Sequence, residues 1–248
     1  MCTKVKEHLC NRSRGQAVQH DRQLPPRRTS QEPGLGLALI AGALMAVVLL
    51  LALIGLVSTG WGPLRTVDLD IVRSLNGYIS GHRAQLQFWT MVSLLFGPVV
   101  LPTAVLLAAA LLWFRGLRRS ALLIAVAMIG ATSLSSIVKV LVGRARPVPM
   151  NPVGSANGYS FPSGHRLSSM VVIGVALLLL LPAVPARGRV PLSAGAVLLA
   201  AAVGFSRLIL GVHFFGDVLG SWLIGGAWLL VLLAGFRRTL AAQGRPLL

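Results

Sequence analysis

The sequence predicts an all-α polytopic membrane protein, built as a bundle of six transmembrane helices. Of its 248 residues, 55% are hydrophobic and only 12% are charged, whereas soluble domains have roughly 25% charged residues. The apolar residues are gathered in long runs, several of which reach the roughly 20 residues that a helix needs to cross the hydrocarbon core. Short clusters of Arg and Lys separate these runs, as is typical of the loops of multi-pass membrane proteins.

Six apolar runs are the candidate spans. We place them at residues 36–57, 88–114, 120–142, 166–181, 192–210 and 218–236. The first run has 22 residues and would rise about 33 Å as a helix, enough to cross a bilayer. Gly97-Pro98 and Pro102 predict a bend in the second span. The stretch 58–87 mixes interfacial aromatic residues with charges, which predicts a short amphipathic helix on the outer surface.

The chain divides into three predicted parts. Residues 1–33 are basic and polar and are expected to form a disordered cytoplasmic tail. Residues 34–236 form the membrane domain, with its core at 120–236, and residues 237–248 form a second cytoplasmic tail. The first tail is too long for a signal peptide and has no clear small-residue cleavage site, so the first span is expected to be retained. This tail either binds anionic lipid headgroups or only sets the orientation of the chain.

The N-terminal tail also holds both cysteines, Cys2 and Cys10. No His has zinc-like spacing to them, and a cytoplasmic location disfavours a disulfide. We therefore expect two unpaired thiols.

The positive charges indicate a membrane topology. The net charge of +17 does not indicate nucleic-acid binding, because the bases are scattered and form no aromatic-rich basic face. With the N-terminus inside, the inner segments carry 15 of the 23 Lys and Arg residues and the outer segments carry 8. The positive-inside rule then places both termini in the cytoplasm and the polar motifs outside. Arg outnumbers Lys by 20 to 3, which favours a bacterial protein, and we expect it in the plasma membrane.

Three polar motifs interrupt the apolar pattern at the outer ends of the later spans. They are Lys139-x6-Arg146-Pro147, Pro162-Ser163-Gly164-His165 and Ser206-Arg207-x5-His213-x3-Asp217. The fourth span takes the chain inward and the fifth brings it out again, so the third motif returns to the surface on which the first two lie. Motifs that are distant in sequence are therefore expected to be neighbours in space.

The combined charge of these motifs indicates a site for a multiply charged anion. Lys139, Arg146 and Arg207 would repel one another with only Asp217 as a nearby anion, unless a phosphate-like group normally lies among them. Arg offers a planar fork that matches phosphate oxygens, and Lys offers a point charge. The Ser163 hydroxyl and the Gly164 backbone N–H are further donors, at a position where a helix begins.

The two histidines add nucleophilic and acid–base chemistry. His213 and Asp217 are four residues apart and would share one face if this segment is helical. A carboxylate on one ring nitrogen fixes the tautomer and leaves the other nitrogen able to attack phosphorus. His165 is then the candidate general acid for the leaving oxygen and, in reverse, the base that activates water. The predicted reaction passes through a phosphohistidine.

The three motifs together resemble the signature of the type 2 phosphatidic acid phosphatase family, which are integral membrane lipid phosphatases. The resemblance covers residues 120–236. It implies a six-helix bundle with an outward-facing site and hydrolysis that needs neither a metal nor a cofactor. It assigns His213 as the nucleophile, His165 as the acid and base, and Asp217 as the partner of His213. It assigns phosphate binding to Lys139, Arg146, Ser163, Gly164 and Arg207.

Three further residues near the motifs have open roles. Ser206 belongs to the signature but has no evident chemical task. Arg166 lies outside the family pattern and would either touch a second phosphate or a headgroup, or extend to the membrane interface. The role of Arg144 is open in the same way.

The resemblance implies a lipid phosphate as substrate, and membrane lipids rather than nucleic acids as partners. We expect first a polyprenyl diphosphate of the undecaprenyl type, a carrier of cell-wall biogenesis. Phosphatidic acid or phosphatidylglycerol phosphate is the alternative, and a soluble sugar phosphate is disfavoured. The oligomeric state is left open.

Two alternatives to an enzyme are a channel or transporter and a binding protein. An anion channel or transporter would need Lys139, Arg146 and Arg207 but not the pair His213 and Asp217. A binding protein without catalysis is disfavoured, because no motif residue is missing.

Overall fold

The computed structural model describes residues 33–148 and 158–241, with side chains described for 34–148 and 158–236. Within these ranges the chain forms eight α-helices. They are α1 (Pro33–Ser58), α2 (Gly62–Ser80), α3 (Arg83–Leu95), α4 (Val100–Phe114), α5 (Arg118–Val142), α6 (Gly164–Leu180), α7 (Ala186–Ile209) and α8 (Phe215–Ala241), with a 3-10 turn at Leu181–Ala183. The predicted N-terminal tail with its two cysteines, and residues 242–248, lie outside the described residues.

The length and composition of the described helices support five or six candidate spans. Five described segments are long and apolar enough to cross a membrane: α1, α5, α6 with its 3-10 turn, α7 and α8. The helices α3 and α4 are separated by a break with a bend of 40°, and counted together as one span they bring the number of candidates to six. The all-helical, multi-pass fold class therefore holds for the described part of the chain.

The bend in the second span lies where the sequence predicts it. Helix α3 ends at Leu95 and α4 begins at Val100, because Pro98 has no N–H to donate and disfavours a helical conformation at the preceding Gly97. Pro102 lies in the first turn of α4, where its missing N–H would have no intrahelical partner, so it continues the helix. This break leaves an irregular stretch of backbone beside the polar motifs.

Several predicted helix boundaries were wrong. The second span starts at Arg83 rather than at residue 88. Helix α7 starts at Ala186, so Arg187 and Arg189 lie in its first turns and not in a loop. Helix α8 continues to Ala241, five residues into the stretch that was expected to be a tail. These helix ends include charged residues, because a helix can extend past the apolar residues that mark a span. The apolar run alone therefore does not give the helix boundary.

Helix α2 is the predicted amphipathic helix, and its buried face carries an acid. Its buried residues are Asp68, Val72, Asn76 and Ile79, which fall on one face at helical spacing. Ile79 packs against Ile209, Leu210 and Val212 at the junction of α7 and α8. The face of α2 therefore covers the segment that leads into the third motif.

The core of the bundle is formed by α5, α6 and α8, with α6 in contact with α5, α7 and α8. Small residues set the close approach of these helices: a Cβ on Gly225 would lie 3.1 Å from the sulfur of Met170, and one on Gly220 would collide with the ring of Phe161. The glycines of the last span thus serve close packing at both positions. This packing fixes the start of α6 against the start of α8, and the second and third motifs lie at that contact.

Candidate active site

The second motif forms the first turn of α6. Ser163 is the N-cap residue of this helix, yet its side chain makes no capping hydrogen bond. Its backbone is fixed instead by Ser221 of α8: the Ser163 N–H donates to the Ser221 hydroxyl at 2.9 Å, and that hydroxyl lies 3.2 Å from the Ser163 carbonyl. The Ser163 hydroxyl is buried and has no partner among the described residues. It is therefore available to a group placed at the helix N-terminus, where backbone N–H groups also point.

Gly164 allows the start of α6 to approach α5 closely. A Cβ at this position would lie 3.1 Å from the Ser135 hydroxyl and 3.7 Å from Nζ of Lys139. A side chain here would press on the Ser135 hydroxyl and would contact the ammonium group of Lys139. The structure thus gives a steric reason for glycine in this motif.

The contact between His213 and Asp217 is present, but it does not arise as the sequence suggested. His213 lies in the turn before α8 rather than in a helix, and Asp217 lies in the first turn of α8. The Asp217 carboxylate accepts the Phe214 N–H at 2.9 Å, in the manner of the acidic residue of a capping box. The same oxygen, Oδ2, lies 3.3 Å from Nδ1 of His213. Helix capping therefore places the carboxylate beside the imidazole.

The other ring nitrogen of His213 faces an arginine. Nη1 of Arg146 lies 3.1 Å from Nε2 of His213 and also donates to the Val212 carbonyl at 2.9 Å. Arg146 has no acceptor atom, so Nε2 must accept its hydrogen bond, and Nδ1 must carry the proton and donate a hydrogen bond to Asp217. This tautomer leaves Nε2 as the nitrogen with an available lone pair.

Burial sets the charge state at this position. It lowers the pKa of His213 to about 3, and the hydrogen bond to Asp217 offsets only part of this effect. Burial also lowers the pKa of Arg146, while the charge of Asp217 raises it. The imidazole is therefore neutral near pH 7, and the guanidinium stays charged because arginine starts from so high a pKa.

Arg207, near the end of α7, points toward the break between α3 and α4. Its Nη1 donates to the Ser93 hydroxyl of α3 at 2.6 Å. Its Nε is buried and has no partner among the described residues. Like the Ser163 hydroxyl, it is a buried donor that remains available.

One cavity of about 470 Å³ brings six of the predicted site residues together, and Ser163 is not among the residues that line it. Both imidazoles line it. Around them are three cations and the α6 glycine: Lys139, Arg146, Arg207 and Gly164. The remaining wall is formed by Ser93 and the irregular stretch between α3 and α4. The geometry is thus two histidines and three basic side chains around one space, with the Asp217 carboxylate behind His213.

Comparison with known proteins identifies the segment that carries this site. Residues 120–240 match the family model of the PAP2 superfamily. These residues form a PAP2 superfamily domain. The resemblance that the three motifs suggested is therefore confirmed.

The PAP2 domain has a bacterial relative in Bacillus subtilis (strain 168). The chain is 36% identical to its phosphatidylglycerophosphatase B over 107 residues, which are 42% of this chain and 51% of that protein. The chain thus spans about half the length of this curated relative in the alignment.

The fold extends beyond the PAP2 domain. The crystal structure of the first transmembrane PAP2 type phosphatidylglycerolphosphate phosphatase from Bacillus subtilis superimposes with a TM-score of 0.71. The match covers 80% of this chain and 96% of that chain at 22% sequence identity. The two proteins share a fold.

Three predicted accessory residues of the PAP2 domain do not line the cavity. The Ser206 hydroxyl donates to the Val203 carbonyl of its own helix at 2.8 Å, which gives it a structural contact. Arg166 is only 1% exposed, so the interpretation that it extends to the membrane interface was wrong. Its three guanidinium nitrogens have no hydrogen-bond partner among the described residues. Arg144 lies behind Asp217.

Arg144 and Asp68 form a contact that sequence reasoning missed. Nη1 of Arg144 donates to Oδ1 of Asp217 at 2.7 Å, and its Nη2 donates to Oδ2 of Asp68 at 2.5 Å. Ser160 also donates to Asp217 through its hydroxyl. The signal for Asp68 was its spacing, since an acid in register with the buried apolar residues of α2 needs a partner. The partner lies 76 residues away in sequence, which no local pattern reveals.

The described residues hold no group of three or more His, Cys, Asp or Glu side chains placed to bind a metal ion. Metal independence of the reaction stays a prediction.

Proposed function

We propose that this protein is a membrane lipid phosphatase that works through a phosphohistidine on His213. The observation that carries the proposal is the orientation of one imidazole. Its Nδ1 faces the Asp217 carboxylate, and its Nε2 faces a cavity that also holds His165 and three cations. An oriented, neutral nucleophile beside a cluster of cations is what attack on a phosphate requires.

In the first step Nε2 of His213 attacks phosphorus. An N–P bond forms as the bond from phosphorus to the leaving oxygen breaks. His165, protonated beside the bound phosphate anion, donates its proton to that oxygen, so that an alcohol or a lipid monophosphate departs. The imidazole of His213 gains positive charge, which the carboxylate of Asp217 stabilises. Lys139, Arg146 and Arg207 balance the charge on the three equatorial oxygens.

In the second step water replaces the histidine. His165, now neutral, takes a proton from water as the new O–P bond forms and the N–P bond breaks. Inorganic phosphate leaves, and both histidines return to their starting states. Each residue is thus used in both steps, as microscopic reversibility requires.

The surroundings of the cavity favour an amphiphilic substrate. A second space of about 270 Å³ shares Lys139, Gly164 and His165 with the catalytic cavity and runs between α4 and α5. Apolar side chains such as Leu101 and Met128 line its far side. A lipid can place its phosphate among the cations and its tail along this apolar wall, whereas a soluble sugar phosphate would leave the wall unused.

Among lipid phosphates, phosphatidylglycerol phosphate is the substrate that the similarity supports best. The relative at 36% identity is called phosphatidylglycerophosphatase B. Undecaprenyl diphosphate, preferred from the sequence, is the alternative because the same cations would bind its terminal phosphate. Phosphatidic acid is a third lipid that presents the same group.

The membrane arrangement is part of the same proposal. The excess of Lys and Arg in alternate segments supports cytoplasmic termini and an extracytoplasmic site in a bacterial plasma membrane. The division into an N-terminal basic tail, a membrane domain and a short C-terminal segment rests on composition in the same way. Hydrolysis without a metal or cofactor is part of the proposal, because side chains can supply both the nucleophile and the acid.

Phosphate release by the purified full chain tests the proposal. Mixed micelles would present phosphatidylglycerol phosphate, phosphatidic acid, undecaprenyl diphosphate and a soluble sugar phosphate in parallel, with and without EDTA. We expect release from the lipids, fastest from phosphatidylglycerol phosphate, and no effect of EDTA. His213→Ala should remove the activity, while His82→Ala, at an exposed histidine, should keep it. A channel or transporter would show no release from any substrate, and unchanged activity of His213→Ala would refute the nucleophile.

A further inference from the structure

We propose that Asp68 and Arg144 are positioning residues of the reaction, which hold the Asp217 carboxylate and through it the imidazole of His213. The inference rests on the proposed function and deepens it. Helix α2 thereby contributes Asp68 to the active site, although α2 precedes the PAP2 domain at residues 120–240.

The contacts form an unbroken series from α2 to the nucleophile. Asp68 pairs with Arg144 at 2.5 Å, and Arg144 pairs with Asp217 at 2.7 Å. Asp217 lies 3.3 Å from His213. The side chains of Asp68, Asp217 and His213 are at most 2% exposed, and that of Arg144 is 15% exposed. Ion pairs with such burial are screened little by solvent, so loss of one member affects the others.

Arg144 binds Oδ1 of Asp217, whereas the contact with His213 uses Oδ2. Oδ2 receives the Phe214 N–H, the Ser160 hydroxyl and Nδ1 of His213. Oδ1 receives Nη1 of Arg144. The carboxylate therefore cannot rotate without breaking several contacts at once, which fixes the direction in which it faces the imidazole.

The charges in this network complement the proposed intermediate. Two carboxylates, one guanidinium and a neutral imidazole give a formal charge of −1 before reaction. The imidazole gains a positive charge when Nε2 forms its bond to phosphorus, and the network then becomes neutral. Without Arg144, two buried carboxylates would lie close together, and one of them would be driven to take up a proton. A protonated Asp217 would stabilise the charged imidazole less.

The geometry requires an arginine at position 144. One planar fork reaches two carboxylates with separate nitrogens, which a lysine ammonium does not match. The Phe214 ring lies 4.3 Å from the guanidinium carbon and helps to fix its plane. A Cβ on Gly216 would lie 3.2 Å from Nη1 of Arg144 and 3.3 Å from Oδ2 of Asp68. Glycine therefore lets the pair lie directly on the start of α8.

Asp68 also anchors the helix that carries Asp217. Its Oδ1 accepts the Gly216 N–H at 2.8 Å, one of the N-terminal donors of α8 that have no acceptor within the helix. Neither Asp68 nor Arg144 lines the cavity that holds the two imidazoles. Substitution of either residue should therefore slow the chemical step and leave substrate affinity nearly unchanged.

Steady-state kinetics on the full chain in mixed micelles test this inference with Asp68→Asn, Arg144→Gln and Arg144→Lys. We expect kcat to fall by about 10–100-fold in each, as for other residues that orient a catalytic group through a second residue. KM should change by less than about threefold, since binding groups are untouched. Arg144→Lys should recover only part of the loss. The controls are Asp70→Asn and Arg73→Gln, which change exposed residues of α2 and should match the wild type.

A double variant separates positioning from general destabilisation. Asp68→Asn combined with Arg144→Gln should be no slower than Arg144→Gln alone, because both act through one carboxylate. Wild-type kcat in folded Asp68→Asn, or a loss confined to KM, would overturn the inference. If Asp68→Asn does not fold, Asp68→Glu keeps the charge and displaces Arg144 by one methylene, and wild-type kcat there would overturn it equally. Failure of the proposed function is distinct, since wild-type protein would then release no phosphate at all.

Discussion

Nη1 of Arg146 lies 3.1 Å from Nε2 of His213, so a proposed phosphate-binding cation covers the proposed nucleophile. The lone pair that would attack phosphorus is thereby hydrogen-bonded. An incoming phosphate oxygen offers the guanidinium a stronger, charged acceptor. Phosphate binding is thus expected to break the hydrogen bond between Arg146 and Nε2. Until a substrate binds, this hydrogen bond keeps the lone pair of Nε2 from reacting.

Substitution of Arg146 by lysine tests this coupling. Lysine keeps the charge but cannot donate in parallel from a rigid fork, so kcat/KM should fall by about 10–100-fold, the equivalent of one charged hydrogen bond. Initial rates on a lipid phosphate measure the effect. Arg83→Lys, at an exposed residue that begins α3, should be neutral. Equal rates for Arg146→Lys and wild type would exclude a specific role for the guanidinium.

The loss of activity caused by His165→Ala should increase with the basicity of the leaving group. A general acid contributes about 10²–10⁴-fold when the leaving oxygen needs a proton. The kcat/KM of His165→Ala should fall by that factor with a lipid phosphate but much less with p-nitrophenyl phosphate, whose leaving group departs unprotonated. This parameter reports the steps up to the phosphohistidine, so the later activation of water by His165 does not enter it. His213→Ala should abolish both reactions. A similar fall of kcat/KM with both substrates in His165→Ala would show that His165 is not the acid.

Gly164→Ala should weaken binding of phosphate-like anions. Its Cβ would lie 3.1 Å from the Ser135 hydroxyl, which must shift, and 3.7 Å from Nζ of Lys139, where it would fill space beside the ammonium. We expect the inhibition constant for vanadate to rise on the order of tenfold, or about 1.4 kcal/mol. Gly77→Ala is the control, because nothing lies within 4 Å of a Cβ there. Unchanged vanadate inhibition in Gly164→Ala would contradict the placement of the anion beside this turn.

The buried imidazole of His213 predicts a dependence of stability on pH. Its pKa is about 3 in the folded protein and near 6.5 in an unfolded chain. The unfolded state therefore binds the proton more readily between these values. The free energy of unfolding should therefore decrease as pH falls from 6.5 toward 3. This group contributes at most about 1.4 kcal/mol per pH unit to the decrease. The free energy of unfolding in detergent, measured from pH 7 to 4, gives the slope.

The control for this slope is His213→Asn, which keeps a polar side chain that does not titrate. It should lose less stability than the wild type over the same interval. Identical slopes in the two proteins would mean that His213 is not buried as a neutral imidazole.

Arg166 predicts an unusual stabilising substitution. The side chain is 1% exposed, and its three guanidinium nitrogens have no hydrogen-bond partner among the described residues. Unpaired buried donors cost about 1–3 kcal/mol each, so Arg166→Met should raise the melting temperature of the substrate-free protein. Thermal unfolding in detergent measures this. A lower melting temperature would show that the guanidinium has a partner that stabilises the fold.

The parts of the fold that the sequence predicted are those governed by local chemistry. Long apolar runs identified the spans, and Gly97-Pro98 located the bend. Alternate crossings placed His165 and His213 on one side of the bundle, and both line the same cavity. These inferences need only composition, helix length and chain direction.

The parts that were missed depend on packing between distant segments. The pairing of Asp68 with Arg144 crosses 76 residues, and the burial of Arg166 depends on how α6 lies against its neighbours. The contact between His213 and Asp217 was expected from helical spacing, but it arises from a capping arrangement before α8. The spacing of four residues suits both geometries, so sequence alone could not separate them.

Rapid-quench labelling tests the central proposal most directly. The wild-type protein would be mixed with a lipid phosphate labelled with ³²P in its terminal phosphoryl group, quenched within milliseconds, and digested. We expect an acid-labile, alkali-stable phosphoryl group on the peptide that contains His213, formed at least as fast as turnover and absent in His213→Ala. Turnover without any such label, or a label on another residue, would contradict the proposed mechanism.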